Sequence, residues 1–283
     1  MFITLILILI VSLLTIYWYL SKSFCKTSHI YMTIEEFYHF HKDNPNVENE
    51  DIKDTIRNDM FNECPYYKAN HQKSDDDYLN LSKYIRDFCC AKSSFTNRFG
   101  PVCPFLPNAL KHNSIYFYDD IHSANKNQLM KTVRKCREDF LSILKPTEIE
   151  NKNLIVYKCL IILIRSETIS HRLIDEIQME LKSEFVIEHG LMLGEFHLSS
   201  NSSAIKNKEF YPLRTKVPLL VIRYLVANDI FFLNPKDKYS KEIRLKFLQT
   251  YFDLERKGLL HSAKDQHLQM AKEFFDQVNN EQN

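Results

Sequence analysis

From Phe2 to Leu20 the chain carries no charged residue and is dominated by Leu, Ile and Val, and nothing else in it restricts the fold so strongly. Nineteen helical residues rising about 1.5 Å each reach about 28 Å, close to the hydrocarbon thickness of a bilayer. Tyr17, Trp18 and Tyr19 fall at one end, where amphipathic rings favour the headgroup layer. Lys22 and Lys26 follow, and no acidic residue occurs before Glu35. These features predict a single-pass membrane helix at 2–20, its partner the lipid bilayer, with the positive flank holding the rest of the chain on the cytoplasmic side. A cleaved signal peptide is the competing reading. The run lacks a basic residue ahead of it and exceeds the usual apolar length of about 7–15 residues, although Ser21 and Ser23 form a small-x-small pair.

Seven cysteines at 25, 64, 89, 90, 103, 136 and 159 show no disulfide spacing, and the chain is long enough to bury its own core, so reduced thiols are expected. Charges nearly cancel (37 basic, 36 acidic), which leaves no basic face for nucleic acid. Only four glycines occur, against a usual share of about 7%, and neither G-x-G-x-x-G nor a Walker sequence is present. Nucleotide binding by the familiar phosphate loops is thereby excluded.

Beyond the anchor, residues 21–95 read as a polar, mostly helical leader. Thr33-Ile-Glu-Glu36 is a capping box, and Tyr78, Leu81, Ile85 and Phe88 share one helical face. An α/β core is expected over 96–235, with α+β the neighbouring option: one mixed sheet with flanking helices. Its elements are a strand at Ser114–Ile121, a helix from about Ala124 to Leu144, an apolar strand at Leu154–Ile164 and a helix at Ser170–Phe185. Gly190–His197 predicts a short strand or turn. Val217–Val226 reads as a helix entered through Pro218, with a strand as the alternative. Two amphipathic helices, about 240–257 and 261–278, close the chain, and 236–283 is expected to pack on the core.

Two segments have compositions that plain scaffolding rarely needs. In Phe99–Leu110, Pro101, Pro104 and Pro107 stiffen a loop holding Cys103 just ahead of a helix start, where helix amides can lower a thiol pKa. The alternative is a small buried hydrophobe. In Gly190-Leu-Met-Leu-Gly-Glu-Phe-His197, Glu195 and His197 stand two apart on an extended segment and so point to one side. Arg214 and Arg223 lie in apolar surroundings and require an anion: Glu195 or Asp229 of the protein, or a ligand carboxylate or phosphate. The expected pocket therefore comprises Cys103, Glu195 and His197 as catalytic candidates, with Arg214 and Arg223 binding a small-molecule ligand.

These blocks, together with Phe210-x-Pro-Leu-Arg-x-x-Val-Pro-Leu-Leu-x-Ile-Arg223 and Asp229-x-x-Phe-Leu233, resemble the signature of a domain family of unknown function, number 6875, over about residues 78–235. The Pro-Cys-x-Phe block ahead of a strand is also similar to that of haem-dependent guanidino N-oxygenases. That likeness implies haem as cofactor, His197 as its axial ligand and Arg214 or Arg223 on its propionates. Two functions follow as expectations: a membrane-tethered enzyme of oxidoreductase type, or a non-enzymatic membrane-tethered binding or effector module whose polar residues fix the fold.

Overall fold

The computed structural model describes residues 80–81, 83–143, 152–260 and 263–281. The apolar run 2–20, the capping box at Thr33–Glu36, Tyr78, Cys25 and Cys64 lie outside the described residues. Among the described residues no helix is long and apolar enough to cross a membrane.

Four strands form one sheet in the order β1-β2-β4-β3: β1 Ile115–Asp120, β2 Cys159–Ile164, β3 Leu191–Phe196 and β4 Leu219–Tyr224. The β1–β2 pair is parallel, while β4 runs antiparallel to both β2 and β3. Strands β1, β2 and β3 therefore share one direction, and their carboxyl ends lie along one edge of the molecule. The sheet is mixed, and the α/β reading holds.

Two helices make the crossovers. Helix α2 (Lys126–Ser142) links β1 to β2, and α3 (His171–His189) links β2 to β3. (The short α1, Leu106–Lys111, precedes β1.) Each crossover helix begins where a side chain satisfies an amide that the helix cannot: Asn125 accepts from Gln128 N at 3.1 Å and Ser170 from Leu173 N at 3.2 Å. Both crossovers travel the same way across the sheet, and right-handed connections then put both helices on one face. There Val133, Cys136, Phe140, Ile177, Leu181 and Phe185 bury against Leu160, Ile162, Leu193, Leu220 and Ile222. The opposite face is covered by Leu81, by Ile85 of the π-helical turn Tyr84–Cys89, and by Ala109 of α1. Helices α4 (Lys241–Arg256) and α5 (Asp265–Asn279) build a second core with Val186 and Met192 at the β3 side.

Two readings change. Residues 219–224 form a central strand, not a helix. Leu220 and Ile222 enter the helical side while Leu219 and Val221 enter the other, so burial on both faces hides the alternation that would mark a strand. The apolar run 154–164 is a strand only from Cys159. Residues Lys152–Tyr157 form a 3-10 turn, and the fully buried Lys158 turns its ammonium back to the carbonyls of Phe140 and Ile143, each at 2.6 Å.

Candidate functional site

In open α/β sheets the carboxyl ends of parallel strands are where loops can gather side chains around a ligand. Here that edge carries Asp119 and Asp120 as the last two residues of β1, Arg165 after β2 and His197 after β3. Arg165 Nε donates to Asp119 Oδ1 at 2.6 Å, closing the β1–β2 end. Asp120 is buried and accepts from the Ser123 hydroxyl at 2.9 Å. Burial raises its pKa, against a lowering by that hydroxyl and by nearby amides.

The β3 end holds the densest polar arrangement. His197 is fully buried, yet both ring nitrogens are engaged. Nε2 lies 2.9 Å from Asp175 Oδ1, and Nδ1 lies 3.3 Å from Ser199 Oγ. Ser199 Oγ in turn lies 2.8 Å from Nδ1 of His171, whose ring stacks on that of His197 with centroids 4.7 Å apart. A carboxylate can only accept, so His197 Nε2 carries the proton and Nδ1 accepts from the Ser199 hydroxyl. The hydroxyl oxygen then accepts from His171 Nδ1. Burial first, and then the neighbouring His197, hold the His171 pKa below its ordinary value, so its ring is neutral at pH 7. Ser199 itself is exposed in the turn closed by Ser200 N donating to His197 O at 3.1 Å.

Local sequence explains the assembly. Ser170 caps α3, which puts His171 in the first helical position and Asp175 one turn later on the same side. The β3 strand ends at Phe196 and delivers His197 against that turn. Glu195 is buried on the helical side and accepts from Ser202 Oγ at 2.8 Å, fixing the loop that carries Ser199. Arg214 donates from Nε to Ser200 O at 2.9 Å, and its guanidinium lies 4.0 Å from the Tyr211 ring centroid. It is exposed, and its two terminal nitrogens have no protein partner among the described residues.

Thus Glu195, His197 and Arg214 come together at one end of the sheet. Cys103 and Arg223 do not join them. Arg223 pairs in register with Cys159 of β2 and Met192 of β3, four residues along β4 from Leu219, a distance of about 13 Å at 3.3 Å per residue. Its side chain faces away from Glu195 and meets Asp229 bidentately at 2.7 and 2.6 Å. Phe105 lies beside the guanidinium, 5.9 Å away. Cys103 N donates to Cys89 O at 2.8 Å in the same region, where burial above all pushes the Cys89 and Cys159 thiols up. All five described cysteines are free.

These donors do not fit a haem held by His197, because neither ring nitrogen has a lone pair to spare and Arg223 is already closed by Asp229. Among the described residues no group of three or more His, Cys, Asp or Glu could hold a metal ion. The sequence reading lacked His171, Asp175 and Ser199. The first two stand four apart at a capped helix start, and the third stands two after His197, a pattern visible once β3 and α3 are known to be neighbours.

A family model described as "Domain of unknown function (DUF6875)" matches residues 78–257. The match takes in α4, beyond the 78–235 stretch over which the motifs run. No curated protein and no solved structure matches the chain.

Proposed function

Since the chain belongs to the DUF6875 family, a domain family of unknown function, its chemistry has to be read from its own side chains, and we propose that it is an enzyme of acyl-transfer type with Ser199 as nucleophile. The observation that carries this reading is the hydrogen-bonded chain Asp175–His197–Ser199, with an exposed hydroxyl at one end. A serine hydroxyl is a weak nucleophile until an adjacent base takes its proton, and the base works best when a third group orients it. His197 Nδ1 accepts the proton as Oγ bonds to the substrate carbonyl carbon, whose π-electron pair moves onto oxygen. Asp175 stabilises the imidazolium by accepting from Nε2. Collapse of the tetrahedral species expels the leaving group, protonated by His197, and water releases the acyl group by the same steps. His171, in the first turn of α3, holds the Ser199 hydroxyl in place by donating from Nδ1. Arg214 presents free guanidinium nitrogens to an anionic portion of the substrate.

Steady-state hydrolysis of p-nitrophenyl acetate by the full chain tests this. Ser199→Ala and His197→Gln are expected to lower kcat at least 100-fold, the usual contribution of a positioned base being about 10²–10⁴. Equal turnover by the variants and the parent protein would discard the relay and favour the binding-module reading. The apolar run 2–20 supports tethering of this enzyme to a membrane, its domain facing the cytoplasm. Retention of the full chain in the membrane pellet after carbonate extraction is the expected result, and release into the supernatant would oppose it.

A further inference from the structure

Two surface stretches, 92–100 ahead of α1 and 204–210 in the β3–β4 connection, are bound into one platform. Asn97 Nδ2 donates to Lys206 O at 3.1 Å, and Asn207 Nδ2 donates to Phe95 O at 2.9 Å. The Phe95 and Phe210 rings stack, centroids 5.9 Å apart and 22° from parallel. This base holds apolar side chains out in water: Phe99 is 103% exposed, Phe95 65% and Ile205 41%. The same two stretches carry four cations, of which Arg98 also donates to Val102 O at 2.6 Å. Lys92, Lys206 and Lys208 are exposed, Arg98 is half-buried, and Glu209 is the only acid in either stretch. None of the four cations has a carboxylate partner among the described residues. Lys92, Ser93, Ser94, Arg98 and Phe99 line an open depression of about 440 Å³ between them.

We propose that this platform docks on an anionic lipid bilayer, with Phe99, Phe95 and Ile205 entering the boundary between headgroups and acyl chains while the four cations meet lipid phosphates and carboxylates. Apolar side chains interspersed with lysine are the pattern of interfacial membrane contact. Protein partners are served differently, since lysine is depleted where two proteins meet. Charge complementarity selects anionic over zwitterionic lipid: four cations against one carboxylate add attraction only where the surface is negative. The hydroxyls of Ser93 and Ser94 beside Lys92 and Arg98 suit a headgroup phosphate seated in the depression. The run 2–20 brings a bilayer within reach of the same chain, but the docking contact is separate from it and is read separately.

The test places a reporter on the platform of the full chain. Trp18 is the sole tryptophan, so Trp18→Phe with Phe99→Trp leaves one indole, at position 99. The protein is reconstituted into phosphatidylcholine vesicles with or without phosphatidylserine, and circular dichroism checks that each variant is folded. The expected result is a blue-shifted emission, quenched by brominated acyl chains, in phosphatidylserine vesicles only. Lys206→Glu with Lys208→Glu abolishes it, and about 1 M salt weakens it, since charges are then screened within about 3 Å. Unshifted emission in both vesicles overturns the proposal, as does equal quenching with and without phosphatidylserine. A blue shift without lipid that grows with protein concentration assigns the platform to a second copy of the chain and overturns it too.

Discussion

Replacing Asp229 by alanine gives the sharpest test of how the far end of the sheet is held. Asp229 is buried and receives three hydrogen bonds: two from Arg223, at 2.7 and 2.6 Å, and one from Val226 N at 2.8 Å. Its removal leaves the guanidinium beside Phe105 without its anion, holding only the bond from Nη1 to Tyr224 O at 3.0 Å, and uncaps the amide that starts the following 3-10 turn, Ala227–Phe232. Stranding one partner of a fully buried pair costs about 3–5 kcal/mol. The Arg223 side chain keeps 29% of its surface exposed, so water softens that to about 2–3 kcal/mol. The lost cap adds about 1 kcal/mol. The sum, about 3–4 kcal/mol, lowers Tm by about 10 °C in a domain of this size. Urea unfolding followed by circular dichroism at pH 7 measures it. The double variant Arg223→Met with Asp229→Ala is expected to recover most of the loss, because no charge is left behind. A loss under about 1 kcal/mol in Asp229→Ala, or a double variant as unstable as the single, would refute the internal salt-bridge reasoning.

Lys182 offers a pH signature. Burial, partly offset by Glu195 and Asp229, lowers its pKa to about 8. The unfolded chain, near 10.4, then binds more protons between about pH 8 and 10.4, so stability rises with pH through that window by about 3 kcal/mol. Urea midpoints at pH 8 and 10 should show the rise in the parent protein and a flatter profile in Lys182→Met. Gly190 ends α3 with φ +62°, and a Cβ there would lie 3.0 Å from Leu254 Cδ1. Gly190→Ala should cost about 1–2 kcal/mol for the left-handed backbone, with the Leu254 terminus able to move aside, and thermal melting checks it.

Strong local periodicity made most elements legible. Leu129, Val133, Cys136 and Phe140 marked α2, the stripe Leu173, Ile177, Leu181 and Phe185 marked α3, and Ile243, Phe247 and Tyr251 marked α4. Where burial is two-sided the pattern lost its period, and Leu219–Tyr224 imitated a helix. Long-range pairing was the other gap. Glu195 and His197 were visible as costly residues, but nothing in their own segment points to Asp175 on α3 or to Ser202 beyond the turn. Arg223 was seen to need an anion, and Asp229 stood among the choices. Its pairing with Cys159 at the far end of the sheet, which separates it from His197, comes only from strand register.

The central claim is that Ser199 is a nucleophile activated by His197, and a covalent probe tests it most directly. A fluorophosphonate bonds through phosphorus to an activated serine oxygen and releases fluoride, so intact mass followed by peptide mapping locates the adduct. One adduct on Ser199 is expected, slowed by Asp175→Asn and lost in His197→Gln with the fold preserved. An unmodified Ser199 after prolonged exposure, or labelling indifferent to His197, would contradict the account.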